Sequence, residues 1–239
     1  MIAGSRGERV FEGFDREMIP FFLDLRFHNS KAFMDENRQR YYTHVREPFY
    51  AFITELGSRL LPLIPDLEIR PNKCLSRINR DTRFSRDKSP YRDHLWCAFR
   101  QTGVQKEGAP FYWFEVGPEH LSYGLGLWGE NREAMDALRR RIAAFPDEIL
   151  RILPRVSEAG CLMAGREWKK LPVPETVPPE ARELYLKKDV YFEKIGASLA
   201  WIYSPGIVDR VYETFALLLP FYKLFRGLAP NGPIQTEKE

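Results

Sequence analysis

The sequence predicts an α+β fold, a central antiparallel sheet flanked by helices, in a single domain spanning residues 10–228. Apolar residues recur at helical spacing at Phe49, Phe52, Ile53, Leu56 and Leu60, and again at Met135, Leu138, Ile142 and Phe145. Between them lie three aromatic and aliphatic runs of strand length, residues 95–100, 111–116 and 121–128, separated by Gly103, Gly108, Gly117 and Pro118. A hydrophobic content of 44% over 239 residues is ample for a sizeable core.

Taken in order, the apolar stretch 14–27 predicts a first helix. Pro20 has no backbone N–H and places its start near residue 20. Asn29 or Ser30 can cap a second helix over 31–45. Pro48 suits the first turn of a third, whose apolar residues fall at i, i+3, i+4, i+7 and i+11. Pro62, Pro65 and Pro71 end that pattern, and an irregular basic segment follows. Gly117-Pro118-Glu119-His120 is short enough to make the second and third strands hairpin neighbours. Asn131 can cap the next helix, with Arg139, Arg140 and Arg141 on the side opposite its apolar face. Pro146 opens a short helix or turn, and residues 171–179 read as an extended connection. Ser204 and Pro205 start a last helix through Ile207, Val211, Phe215 and Leu218, bending at Pro220 and ending at Gly227. Residues 1–9 and 229–239 read as flexible termini. The sequence contains no internal repeat.

Charge and cysteine content exclude several classes. The 36 basic and 33 acidic residues nearly cancel, so only a local basic surface could attract a polyanion. A nucleic-acid partner stays open but is not favoured. Cys74, Cys97 and Cys161 are odd in number and widely spaced, which fits neither a disulfide scaffold nor structural zinc. Residues 1–10 lack the apolar run of a secretory signal. The greasiest stretch, 215–228, is interrupted by Pro220, Lys223 and Arg226, so no membrane span is expected. The expectation is a soluble, cytoplasmic protein with no metal site and no cofactor motif. Gly124-Leu125-Gly126 lacks the third glycine and the strand-to-helix setting of a dinucleotide fingerprint. The sequence gives no indication of oligomeric state.

Charge concentrates in residues 77–92, where six basic and two acidic side chains leave +4, against +3 for the whole chain. The candidate ligand-binding residues are Arg77, Arg80, Asp81, Arg83, Ser85, Arg86, Lys88, Tyr91 and Arg92. Guanidinium forks pair bidentately with phosphate or carboxylate, lysine adds a mobile point charge, and Phe84 or Tyr91 could stack on a base or sugar. An anion site here competes with a structural account, in which Asp81 and Asp87 knit the arginines into an ordered loop. Three functions stay open. The first is binding of an anionic or phosphate-bearing small molecule through the Arg-rich loop. The second is an enzyme acting on a phosphoester or nucleotide, with Arg80, Arg83 and Lys88 stabilising charge and Asp81, Glu115 or His94 as acid or base. The third is a non-catalytic interaction protein with a structural arginine network. A second constellation, His28, Asn29, Lys31, Asp35, Asn37 and Arg38, reads as a cap and a surface ion pair, and gains a site role if it faces the basic loop.

Three stretches carry a resemblance to a family of conserved hypothetical proteins, DUF2461. They are Phe11-Glu12-Gly13-Phe14 with Phe21-Phe22; Asn29-Ser30-Lys31 with Asp35-Glu36-Asn37-Arg38 and Tyr41; and the run from Asn79 to Tyr91. The last is long and unusual enough to be specific, and the similarity extends more loosely through 138–142 and 171–192. The resemblance implies a compact mixed α and β domain. It brings no established activity, cofactor or catalytic residue to this chain.

Overall fold

The computed structural model describes residues 10–104, 109–127, 129 and 131–228. The fold is α+β. An open antiparallel sheet of five strands has the order β1–β2–β3–β5–β4, with β1 Leu95–Arg100, β2 Pro110–Gly117, β3 His120–Leu127, β4 Leu162–Ala164 and β5 Tyr191–Ile195. The first three strands fall where the apolar runs predict them; Gly108 and Trp128 lie outside the described residues, as do the expected flexible termini 1–9 and 229–239. β4 and β5 are additions to the expected meander. β4 is three residues long, too short to display a period, and β5 carries Glu193 and Lys194 in its five residues.

The chain divides into two compact units. The first takes the described residues up to Ala98 with Phe114–Leu121 and Gly196–Tyr212; the second takes Phe99–Trp113, Ser122–Ile195 and the residues from Glu213 onward.

In the first unit, α1 (Met18–Phe27) starts two positions before Pro20, because the first turn of a helix has no use for the missing N–H. The single helix expected over 31–45 is interrupted. α2 (Lys31–Glu36) is capped by Ser30, whose Oγ accepts from the Phe33 amide at 3.2 Å. It stops at Asn37, whose side-chain amide donates to the Phe33 carbonyl at 2.9 Å and competes with the backbone ladder. The chain then runs through α3 (Arg38–Tyr41) and a π-helical turn (Tyr42–Arg46) into α4 (Glu47–Leu60). All five predicted apolar residues of α4 are buried. Phe14 stacks on Phe114 at 5.6 Å, and Phe52 meets Phe114 at 4.4 Å, giving an aromatic core. Each buried phenyl contributes about 1.5–3 kcal/mol by removal from water. α5 (Pro71–Cys74) leads into the basic segment.

In the second unit, α6 (Arg132–Ala144) is capped as expected, the Ala134 amide donating to Asn131 Oδ1 at 2.9 Å. Arg139, expected on the exposed side, is buried instead. It stands at i+4 from Met135 and three before Ile142, so the helical period turns it inward. Its guanidinium is satisfied there by the carbonyls of Tyr185 (3.1 Å) and Lys187 (2.6 Å) and by Asp136 (2.6 Å). Phe145, expected on the apolar face, is the C-cap and is exposed because the backbone leaves the helix there. α7 (Pro146–Ile152), α8 (Pro154–Glu158) and α9 (Arg182–Leu186) follow. The last helical stretch is two helices, α10 (Gly206–Leu217), whose residues up to Tyr212 belong to the first unit, and α11 (Leu219–Arg226), with Pro220 in the first turn of α11. Tyr112 lies between Phe215 (4.4 Å) and Tyr222 (5.1 Å), and its hydroxyl donates to the Phe215 carbonyl at 3.0 Å. Gly124, one of the two glycines set aside as a dinucleotide signal, serves the sheet: a Cβ there would sit 1.9 Å from the Phe192 carbonyl oxygen of β5. Among the described residues no helix is long and apolar enough to cross a membrane.

Candidate functional site

The basic segment folds as a pinched loop. Arg80 N donates to the Pro90 carbonyl and Arg92 N to the Ile78 carbonyl, both at 2.8 Å, around an Asn79–Tyr91 antiparallel bridge. Residues 80–90 therefore project from a two-rung neck. Most of their charge is spent internally. Arg80 pairs with Asp87, and Arg83 pairs with Asp81 through Nη2 and Oδ2 at 2.6 Å. Lys88 Nζ donates to the Thr82 carbonyl at 2.9 Å, and Ser89 Oγ to Asp87 at 2.7 Å. The Arg83 hydrogen bonds hold the Asp81 carboxyl down at about 2, and Arg80 with Ser89 holds Asp87 well below the usual carboxylate range. Arg92 donates to the carbonyls of Arg77 and Asn79, each at 2.7 Å, and lies 4.7 Å from the Trp96 ring centroid. Its guanidinium reinforces the neck from within. Phe84 at the tip is 95% exposed, with the Arg83 guanidinium 5.8 Å from its ring centroid.

The neck is anchored by Asn29. Its Nδ2 donates to the Tyr91 carbonyl at 2.9 Å, and its Oδ1 accepts from the Tyr91 amide at 3.0 Å. One side-chain amide thereby completes both backbone groups of a residue 62 positions away, as a paired strand would. Ser30, the other predicted cap, is the one that caps α2, which frees Asn29 for this role. Asp35 and Arg38 form the expected i, i+3 surface pair.

Beneath the neck lies a groove of about 370 Å³, bounded by α3, the π-helical turn, the start of α4 and residues 72–79. Of the predicted residues, Arg77 and Tyr91 line it; Arg80, Asp81, Arg83, Ser85, Arg86, Lys88 and Arg92 do not. Two further arginines line it, Arg38 and Arg46, with the tyrosines at 41, 42 and 50 and the amides of Asn72 and Asn79. No Asp, Glu or His lines it. Arg46 has no carboxylate partner among the described residues; Nη2 donates to the Tyr50 hydroxyl at 2.9 Å, and the guanidinium lies 5.2 and 4.9 Å from the Tyr42 and Tyr50 ring centroids. Arg77 is exposed and has no ion pair among the described residues. The Tyr41 phenol is pushed up to about 12 by burial. Arg46 and Tyr50 carried a signal, since residues four apart share a helix face. It was masked because nothing marks the surrounding helix as site-forming.

The other predicted acid/base residues assemble elsewhere in the first unit. Glu115 accepts from His120 Nε2 at 2.9 Å, with His94 Nε2 at 4.0 Å, and His94 Nδ1 contacts Asp93 Oδ1 at 3.0 Å. Arg26 joins Asp93 (2.6 Å) and Glu119 (3.0 Å) to the cluster. The Glu115 hydrogen bond raises His120 above the ordinary 6.5, against the opposing effect of partial burial. Among the described residues no group of three or more His, Cys, Asp or Glu side chains could hold a metal ion.

A five-stranded open antiparallel sheet with flanking helices and an arginine-lined groove defines an α+β protein without a recognisable catalytic motif. The chain belongs to the conserved hypothetical protein family DUF2461, whose model matches residues 17–224. No curated protein and no solved structure matches the chain.

Proposed function

We propose that this protein binds a small anionic ligand, most simply a phosphate-bearing one, in the groove at the base of the Arg-rich segment. The observation that carries this reading is the lining itself: Arg46 and Arg77, without a carboxylate partner among the described residues, and Arg38, paired with Asp35 outside the lining, bound a space of about 370 Å³. Such a volume suits a small metabolite, and guanidinium groups with tyrosine and asparagine donors supply the directional hydrogen bonds a phosphate or carboxylate requires. The protruding loop supports this role from outside. Arg92, donating to the Arg77 carbonyl, and Asn29, bonded to both backbone groups of Tyr91, hold these two residues at the rim.

Binding is favoured over catalysis because the groove holds no imidazole or carboxylate to move a proton near neutrality. A small specific ligand is favoured over nucleic acid because the exposed loop-tip cations Arg83 and Lys88 already have partners in the chain. A cytoplasmic setting is supported by three cysteines that are all buried and widely spaced in the sequence. The test is calorimetry with inorganic phosphate, sugar phosphates and mononucleotides on wild type, Arg77→Ala and Arg83→Ala. Loss of one charge-assisted hydrogen bond costs about 1.5–3 kcal/mol, so Arg77→Ala should weaken binding by about 10-fold or more, and Arg83→Ala should not. Null titrations across the panel, or equal loss in both variants, would overturn the reading.

A further inference from the structure

The second unit contains another arginine-lined pocket that shares no residue with the groove. We propose that it is a separate site for the dianionic head of a phosphate monoester, built by Arg132, Arg139, Arg166 and Lys188 beside Trp168.

Local pairing explains why these side chains converge. Trp168 N donates to the Leu186 carbonyl at 2.8 Å and Lys188 N to the Arg166 carbonyl at 2.7 Å, around an antiparallel Glu167–Lys187 bridge. Alternation along such a ladder sends Arg166, Trp168 and Lys188 to one face and Glu167 with Lys187 to the other. On the far face, the nearly buried Lys187 ammonium meets Glu167 at 2.7 Å and Glu183 at 3.1 Å. The alternation thus keeps those carboxylates away from the pocket. The ladder is closed by Gly165, at φ +116°, where a Cβ would lie 1.9 Å from the Asp189 carbonyl oxygen. Arg166 Nε is fixed by Asp189 Oδ2 at 2.6 Å.

The pocket's floor is rigid and its rim is free. Arg139 is held by two backbone carbonyls and Asp136, whereas Arg132 and Lys188 have no ion pair among the described residues. The Lys188 ammonium rests 4.5 Å from the Trp168 ring centroid, a placement that positions it without a neutralising carboxylate. Asp136 engages Arg139 and Asp189 engages Arg166, while the two rim cations, Arg132 and Lys188, have no carboxylate partner among the described residues. A phosphate monoester carries about −1.5 to −2 at neutral pH. The volume of about 170 Å³ holds a head group and leaves its substituent outside.

The test titrates inorganic phosphate and phenyl phosphate, by calorimetry at constant ionic strength, into the full chain carrying Arg77→Ala, which weakens the groove about 10-fold or more and so separates its isotherm from that of this pocket. The result expected is saturable binding of one equivalent that weakens about 10-fold or more when Arg132→Ala and Lys188→Ala are added. Neither rim side chain makes a hydrogen bond or ion pair among the described residues, so these variants stay folded. Trp168→Leu, which releases Lys188, should weaken binding by a smaller factor. Absence of saturable binding at millimolar phosphate, or affinity unchanged by the two rim substitutions, would overturn the proposal. The groove reading is judged separately, by comparison of wild type with Arg77→Ala.

Discussion

The Asn29 side chain is a surrogate strand for Tyr91: its amide donates to the Tyr91 carbonyl at 2.9 Å and accepts from the Tyr91 amide at 3.0 Å. The two residues belong to the stretches that carry the family resemblance, and the clamp shows what ties those stretches together physically.

Asn29→Ala leaves both Tyr91 backbone groups without their partner, at a cost of about 1–3 kcal/mol. Urea denaturation should report that loss. Hydrogen exchange at the amides of Arg80 and Arg92, the two rungs of the neck, should accelerate more than exchange in α4.

At the loop tip the expectation is the reverse. Phe84 is 95% exposed, and the Arg83–Asp81 pair lies in solvent, where screening and side-chain entropy leave such pairs little net effect on stability. Phe84→Ala and Arg83→Ala should each leave the thermal midpoint within about 2 °C of wild type.

His120 supplies a pH signature. Its imidazolium is favoured by Glu115, with its pKa above the ordinary 6.5. A group whose folded pKa is raised contributes its stability below the unfolded value and loses it as pH rises through the folded value. The stability difference between wild type and His120→Gln should therefore be larger at pH 6 than at pH 8.5. The pair is partly solvated, so the change should stay within about 1 kcal/mol. NMR titration of the His120 ring checks the direction of the shift independently.

Gly124→Ala should be costly in spite of its mild chemistry. The added methyl would meet the Phe192 carbonyl at 1.9 Å and the Trp113 ring at 2.8 Å. Overpacking of this kind costs about 1–3 kcal/mol, and protease sensitivity should rise along the β3–β5 pairing.

The elements legible in the sequence were those whose signal is local. The period of Phe49 to Leu60, the Asn131 cap and the three apolar strands each reside in a dozen residues or fewer. β4 and β5 escaped because their pairing is set by partners distant in sequence, as in the Met163–Phe192 register. Arg139 was misplaced because its charge outweighed its i+4 relation to Met135, although burial was met by three hydrogen-bond partners. The candidate site was legible in part for a similar reason. Charge density singled out residues 77–92, but not that Asp81 and Asp87 would consume Arg83 and Arg80. Arg77 and Tyr91 belong to the groove because of what α3 and α4 bring to them, and no property of the segment alone records that.

The most direct test of the groove as the anion site is a crystal structure of the protein grown in phosphate. The account predicts a bound oxyanion within hydrogen-bond reach of Arg77 and at least one of Arg38 and Arg46. A groove left empty at saturating phosphate, with the anion instead on Arg83 or Arg86 at the loop tip, would contradict it.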